Sequence, residues 1–155
     1  YFLLNRARQI GELSGHDLLG PNLVADFLIE KDNLFAELTL DEAEYKLYQQ
    51  IHNSLQLAPP TPDLVIYLQA PPEILQQRIK TRGLDSEQLI QADYLRTLTE
   101  RYTEFFYYYK QAPLMIVNAA EIDFAHNNRH FEALLEYIFQ MEGSRQFFNP
   151  NPTLL

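Results

Sequence analysis

Cysteine and tryptophan are both absent from the 155 residues of this chain. Without cysteine, a disulfide, a catalytic thiol and a thiolate metal site are all excluded, and we expect a reducing, cytoplasmic location. No apolar run approaches the roughly 18 residues of a membrane-spanning helix, so we expect no membrane partner. Apolar residues make up 46% and charged residues 21% of the chain, a composition typical of a globular domain.

Basic residues are also scarce, because 12 Lys and Arg stand against 21 Asp and Glu, which gives a net charge of −9. A surface this negative repels polyphosphate chains, so we expect no nucleic-acid partner. Three of the twelve basic residues nevertheless fall within five positions, at Arg78, Lys80 and Arg82. This local concentration is compatible with binding of a small anion.

A phosphate-binding loop of the form Gly-x-x-x-x-Gly-Lys-Ser/Thr occurs nowhere in the sequence. The chain opens with Tyr1-Phe2-Leu3-Leu4, without a methionine and without the features of a signal peptide. We therefore expect a fragment whose upstream part is missing. In this interpretation residues 1–143 are the carboxy-terminal portion of a single domain, and residues 144–155 are a loosely held tail.

Hydrophobic periodicity divides the chain into alternating helices and strands. Helices are predicted at residues 1–14, 27–37, 39–57, 72–82, 94–110 and 128–141. Strands are predicted at residues 22–26, 63–70 and 114–118, and their nearly continuous apolar runs predict burial on both faces of a sheet. Strands separated by helices pair in parallel, so the predicted fold class is α/β.

Two local signals refine the helix boundaries. Thr39 and Glu42 are three apart and match a capping box, in which each side chain satisfies the other's backbone N–H. Gly83 follows Arg82 and is a natural residue for the left-handed position after a helix.

Candidate functional residues follow the predicted strands, where ligands of open α/β sheets bind. Asp26 closes the first strand, and the second leads into the helix that carries Arg78 and Arg82. These two arginines are four apart and share a helix face. Their spacing fits either favourable cations near a helix C terminus or a clamp for phosphate oxygens.

Several segments, taken together and in order, resemble the deoxynucleoside kinase family, in particular its bacterial deoxyguanosine and deoxyadenosine kinase branch. The strongest is DLVIYLQAPPEILQQRIKTRGLDSE at residues 63–87. The others are YFLLNRARQ, DFLIEKDNLFA, YLRTLTERYTEFF and VNAAEIDF.

The resemblance implies a P-loop kinase that transfers the γ-phosphoryl group of ATP, with Mg²⁺, to the 5′-hydroxyl group of a deoxynucleoside. It implies a parallel sheet of five strands flanked by helices, with the first two strands missing here, and a homodimer. The phosphate loop and the catalytic carboxylate would lie upstream of Tyr1, so we expect this chain to be inactive alone.

The resemblance also assigns roles to individual residues. Arg78 and Arg82 match the catalytic arginines of the family's lid, and Glu87 matches the lid carboxylate that binds the sugar 3′-hydroxyl. The remaining matches concern the base and the sugar, namely Arg6 on the nucleoside-site helix, the acidic Asp26 and the base-stacking Phe35. Ile122, Asp123 and Phe124 match the loop that holds adenine.

Other interpretations remain open at this stage. Phe35 fits a core residue, Asp26 a helix cap and Arg6 a solvated side chain. Leu84 stands where the family usually has another arginine, and the Arg-Ser that often follows the acidic residue is missing, with Lys31 as an uncertain substitute. The alternatives are therefore a thymidylate-like nucleoside monophosphate kinase, or a degenerate, non-catalytic nucleotide-binding or dimerisation module. No metal site is predicted.

Overall fold

A computed structural model describes residues 2–14, 23–55, 57, 59–122 and 127–149 of the chain. The chain divides into two compact units, residues Tyr1–Thr61 and Pro62–Leu155. Among the described residues, no helix is both long enough and apolar enough to cross a membrane.

The first unit contains three helices, α1 (Phe2–Ser14), α2 (Glu30–Thr39) and α3 (Glu42–Leu55). The prediction of a strand at 22–26 is wrong for residues 23–26, and residue 22 lies outside the described residues. Val24, at the centre of this apolar run, is 95% exposed. A strand needs a neighbour for its backbone hydrogen bonds, and no described strand pairs with this run.

The capping box between α2 and α3 forms two residues later than predicted. The Asp41 backbone N–H donates to Glu44 Oε2 at 3.1 Å, and the Glu44 N–H donates to Asp41 Oδ1 at 2.9 Å. Thr39 is still the last residue of α2, and its hydroxyl donates to the Phe35 carbonyl oxygen at 2.7 Å. The reciprocal hydrogen bonds of a capping box are therefore present as predicted, but Asp41 and Glu44 form them in place of Thr39 and Glu42. Aspartate is also a strong N-cap residue.

Polar side chains join α2 to α3. The Tyr48 hydroxyl donates to Oδ2 of Asp32, a carboxylate that is only 8% exposed, at 3.2 Å. The Tyr45 hydroxyl lies 3.1 Å from Asn33 Oδ1 and 3.0 Å from Glu37 Oε1. Burial and the neighbouring Asp32 raise the pKa of Tyr48, so its hydroxyl stays protonated and keeps donating.

The second unit is a three-stranded parallel sheet with helices, which confirms the α/β fold class. Its elements are β1 (Val65–Gln69), α4 (Pro72–Arg82), a 3₁₀ helix (Asp85–Glu87), α5 (Ala92–Tyr108), β2 (Leu114–Asn118), α6 (Asn128–Phe139) and β3 (Arg145–Phe148). The strand order is β1-β2-β3. Gly83 adopts φ +70° after α4, as predicted.

Strand β2 forms the centre of the core. Its Leu114, Met115 and Val117 are 0% exposed. Met115 and Val117 pack in one cluster with Leu134 of α6 and with β3. On α5, the Phe106 ring stacks on Tyr67 of β1 with 4.3 Å between centroids. The prediction of a strand buried on both faces is therefore confirmed for β2.

The same prediction is wrong for β1. This strand is an edge of the described sheet, and its Ile66 and Leu68 are 40% and 51% exposed while Val65 and Tyr67 are buried. The strand therefore alternates between a covered and an uncovered face. Its apolar sequence alone could not distinguish an edge from a centre, because both faces carry apolar side chains.

The tail predicted from residue 144 is wrong for residues 145–148, which form β3 beside β2. Arg145, the first residue of the strand, donates from Nη2 to the carbonyl oxygens of Phe106, Tyr107 and Tyr109 at 2.9, 3.2 and 3.0 Å. The last carbonyls of a helix lack partners within it, so Arg145 caps the C terminus of α5.

We expect Arg145→Ala to lower the free energy of unfolding by about 1.5–3 kcal/mol, the usual worth of hydrogen bonds to a charged group. Arg101→Ala is the matched control, because its contact with Glu104 is an exposed pair on α5, worth about 0.5 kcal/mol. Urea unfolding measures both. Equal losses in the two variants would contradict the capping role.

Candidate active site

The carboxyl ends of β1 and β2 meet at one edge of the sheet. Gln69 and Asn118 are paired in register there, and the Ala119 N–H donates to the Gln69 carbonyl oxygen at 2.7 Å. The Asn118 side chain accepts from the Ala120 N–H at 3.1 Å. These bonds fix the start of the segment that follows β2, residues 119–122, which we call the edge loop.

Arg78 of α4 reaches this edge loop. Its Nη2 donates to the carbonyl oxygens of Ala119, at 2.5 Å, and Ile122, at 3.0 Å. The structure thus brings together two of the predicted site residues, Arg78 and Ile122, across 44 positions of sequence. Nη2 of Arg78 therefore binds the edge loop. The spacing of Arg78 and Arg82 in the sequence could not indicate this contact.

Arg82 lies one turn later and contacts a different partner. Its Nε and Nη2 both donate to Glu87 Oε2, at 2.9 and 2.8 Å. The pair is partly exposed, with 59% of the Arg82 side chain and 24% of the Glu87 side chain accessible, so its contribution to stability is small. The pair orients the Arg82 guanidinium group through one oxygen of the Glu87 carboxylate, Oε2.

In the first unit, Arg6, Phe27, Asp26 and Lys31 form a group. The Arg6 guanidinium carbon lies 4.3 Å from the centroid of the Phe27 ring, and its Nη1 donates to Gln9 Oε1 at 2.9 Å. Asp26 is exposed and directly precedes Phe27. Burial and the positive charge of Arg6 lower the pKa of Lys31, and Asp26 acts in the opposite direction.

Phe35 is half-buried on α2, whose buried residues are Asp32, Leu34 and Ala36. Two further predicted residues, Asp123 and Phe124, lie outside the described residues. Across the described parts of the chain, no three metal-ligating side chains form a group that could hold an ion.

Sequence reasoning gave no definite role to Lys31 and did not find the loop carbonyls that hold Arg78. One signal for Lys31 was available, because it precedes Phe35 by four residues and therefore lies on the same face of α2. The carbonyl contacts had no such signal, since any residue type supplies a backbone carbonyl.

The sequence profile of the deoxynucleoside kinase family matches residues 1–141. Among characterised proteins, deoxyguanosine kinase of Bacillus subtilis (strain 168) is 30% identical over 146 residues, which cover 91% of this chain and 70% of that protein. Deoxyadenosine kinase of Lactobacillus acidophilus is 28% identical over 151 residues, covering 88% of this chain and 68% of that protein.

A solved structure is also similar, that of deoxyadenosine kinase from M. mycoides with the products dCMP and a flexible dCDP bound. The TM-score is 0.72 at 26% sequence identity, and the match covers 91% of this chain and 71% of that chain.

We expect Arg78→Met to speed amide hydrogen exchange at Ala119 and Ala120 by about 10-fold or more, because removing a charged donor leaves the edge loop less protected. Lys80→Met, an exposed change of the same kind on α4, should leave these amides unchanged. Exchange measured by mass spectrometry or NMR checks both, and unaltered rates in Arg78→Met would contradict the contact.

Proposed function

The chain belongs to the deoxynucleoside kinase family, and we propose that its activity is the transfer of the ATP γ-phosphoryl group to the 5′-hydroxyl group of a deoxynucleoside. A bond forms between the 5′-oxygen and the γ-phosphorus, the bond to the β-phosphate oxygen breaks, and the hydroxyl proton is released. The products are ADP and a deoxynucleoside 5′-monophosphate. The observation that carries this proposal is the family match over residues 1–141.

In the proposed reaction, Arg78 and Arg82 act on the phosphate groups. Negative charge spreads over the γ-phosphoryl oxygens in the transition state, and planar guanidinium groups offset it with paired N–H donors. The two hydrogen bonds from Arg78 Nη2 to the edge loop support this role by fixing the plane of the group. The Nε and Nη1 groups of Arg78 then donate to phosphate oxygens.

Glu87 has two roles in this proposal. Its Oε1 accepts a hydrogen bond from the sugar 3′-hydroxyl group, while its Oε2 keeps Arg82 oriented. Binding of the sugar and alignment of the phosphate arginine are therefore linked through one carboxylate.

The remaining site residues bind the two substrates. We assign Phe35 to stacking on the nucleoside base, and Arg6 and Asp26 to polar contacts with the nucleoside. Ile122, Asp123 and Phe124 are assigned to the adenine of ATP. The Ile122 side chain is buried in the core cluster with Met115 and Val117, so what supports this assignment is its position in the edge loop.

The proposal includes Mg²⁺ with ATP, a homodimer and a cytoplasmic location. Mg²⁺ neutralises charge on the β- and γ-phosphates in phosphoryl transfer. The described residues contain no cluster of three or more His, Asp or Glu side chains that could hold a metal ion. Tyr107 and Tyr108, each 69% exposed at the end of α5, support the dimer by offering aromatic surface.

We expect Arg78→Lys and Arg82→Lys to lower kcat by roughly 100-fold or more, with less effect on nucleoside binding, because the guanidinium fork acts on developing charge. Steady-state kinetics measures this, with the melting temperature recorded for each variant. Lys80→Ala, between the two arginines, is the control and should retain kcat. If kcat is near normal in both lysine variants, or falls only as much as the melting temperature explains, the arginines are instead cations that stabilise the C terminus of α4.

We expect Phe35→Ala to weaken deoxynucleoside binding by about 10-fold while ATP binding is retained, because base stacking contributes roughly 1–3 kcal/mol. Calorimetric titration with each ligand measures the two affinities. If nucleoside affinity is unchanged and the melting temperature falls steeply, Phe35 is a core residue instead.

A further inference from the structure

A short turn follows α4 directly and carries Glu87. We call residues 84–88 the Glu87 turn. Gly83 ends the helix with a φ of +70°, a left-handed conformation that reverses the chain and that glycine adopts at little cost. Within the turn, the Glu87 N–H donates to the Leu84 carbonyl oxygen at 3.0 Å. This bond gives the turn its shape, but it does not fix the direction of the turn relative to α4.

The Gln88 side chain joins the Glu87 turn to α4. Its Nε2 donates to the carbonyl oxygens of Ile79 and Leu84, at 3.3 Å in both cases. Each of these oxygens also accepts a backbone N–H, from Gly83 and Glu87 respectively, and its two lone pairs permit both bonds. A primary amide nitrogen carries two N–H groups, so one nitrogen connects the last turn of the helix to the Glu87 turn.

The ion pair between Arg82 and Glu87 also connects the helix to the turn, but it is a weak restraint. The Arg82 side chain is 59% accessible, and exposed ion pairs contribute little to stability because water screens them. Pairing also removes rotamer freedom from two long side chains. A second restraint is therefore needed to hold the Glu87 carboxylate in one position, and the Gln88 amide supplies it.

We propose that Gln88 is a positioning residue, which places the Glu87 carboxylate for the sugar 3′-hydroxyl group by fixing the Glu87 turn on α4. This inference rests on the function proposed above and adds a residue to it. Both N–H groups of the amide bind main-chain carbonyl oxygens. Gln88 therefore acts through Glu87 and does not itself donate to a substrate.

Loss of the Gln88 amide acts on one substrate contact in particular. Hydrogen bonds weaken steeply as their angle departs from linearity, so a displaced carboxylate loses most of its bond to the 3′-hydroxyl group. A turn that is free to move about Gly83 must also be ordered when the nucleoside binds, which lowers the affinity. A nucleoside without a 3′-hydroxyl group makes no such contact, so its affinity does not depend on Gln88.

Two ligands that differ only in the 3′-hydroxyl group separate this role from a contribution to stability alone. Calorimetric titration compares deoxyadenosine or deoxyguanosine, whichever binds more tightly, with its 2′,3′-dideoxy analogue. In the unmodified protein we expect the deoxynucleoside to bind at least about 10-fold more tightly, the usual effect of a hydrogen bond to a charged group. In Gln88→Met, which keeps the length of the side chain and removes both N–H groups, we expect this ratio to fall to about 3-fold or less.

A second variant and a control complete the test. Gln88→Glu keeps the shape of the side chain but replaces the amide nitrogen by an oxygen that cannot donate when ionised, so we expect the same fall in the ratio. Gln77→Met is the matched control, because Gln77 is also an exposed glutamine and lies on α4. It should keep the ratio of the unmodified protein. The melting temperature of each variant shows that it is folded.

The outcomes distinguish this inference from the proposed function. An unchanged ratio in either folded Gln88 variant, or an equal loss of affinity for both ligands, would overturn the inference and leave the kinase activity standing. Equal binding of the two ligands by the unmodified protein would overturn the contact between Glu87 and the 3′-hydroxyl group, and the inference with it. If the protein binds no deoxynucleoside and releases no ADP from ATP, the proposed function itself is wrong.

Discussion

Burial of strand β2 is the constraint on which the second unit depends. A backbone without access to water must pair its N–H and C=O groups within the protein, and β1 and β3 supply those partners on either side. Once β2 is fixed, its carboxyl end at Asn118 fixes the edge loop, and the loop in turn fixes Arg78. The placement of the Arg78 guanidinium group therefore depends on apolar packing several residues away.

Sequence patterns were sufficient for the elements whose signal is local. Helix α4 begins after Pro71 and ends before Gly83 as predicted, and the residues of β2 match the predicted range. Patterns failed where an element depends on a neighbour. The run around Val24 is apolar but has no strand to pair with in the described residues, whereas the short, partly polar β3 forms because β2 offers an edge.

The candidate site shows the same division. Spacing indicated Arg78 and Arg82, and the family resemblance indicated Glu87. The kinase family is confirmed by the match over residues 1–141. Their partners could not be predicted, because Arg78 contacts main-chain carbonyls far along the sequence and Arg82 contacts Glu87 across a 3₁₀ turn. Every residue type has a backbone carbonyl, so a contact to the backbone depends on the folded geometry alone. Sequence reasoning can therefore identify the arginine but not its carbonyl partners.

The cap that Arg145 places on α5 has a consequence for biosynthesis. Arg145 follows Phe106, whose carbonyl it holds, by 39 positions. At a synthesis rate of about 5–20 residues per second, the ribosome adds Arg145 roughly 2–8 s after Phe106. During that interval the end of α5 and one edge of β2 both lack their final partners. The nascent chain therefore spends seconds with an open sheet edge, a state in which chaperones bind and neighbouring chains can associate.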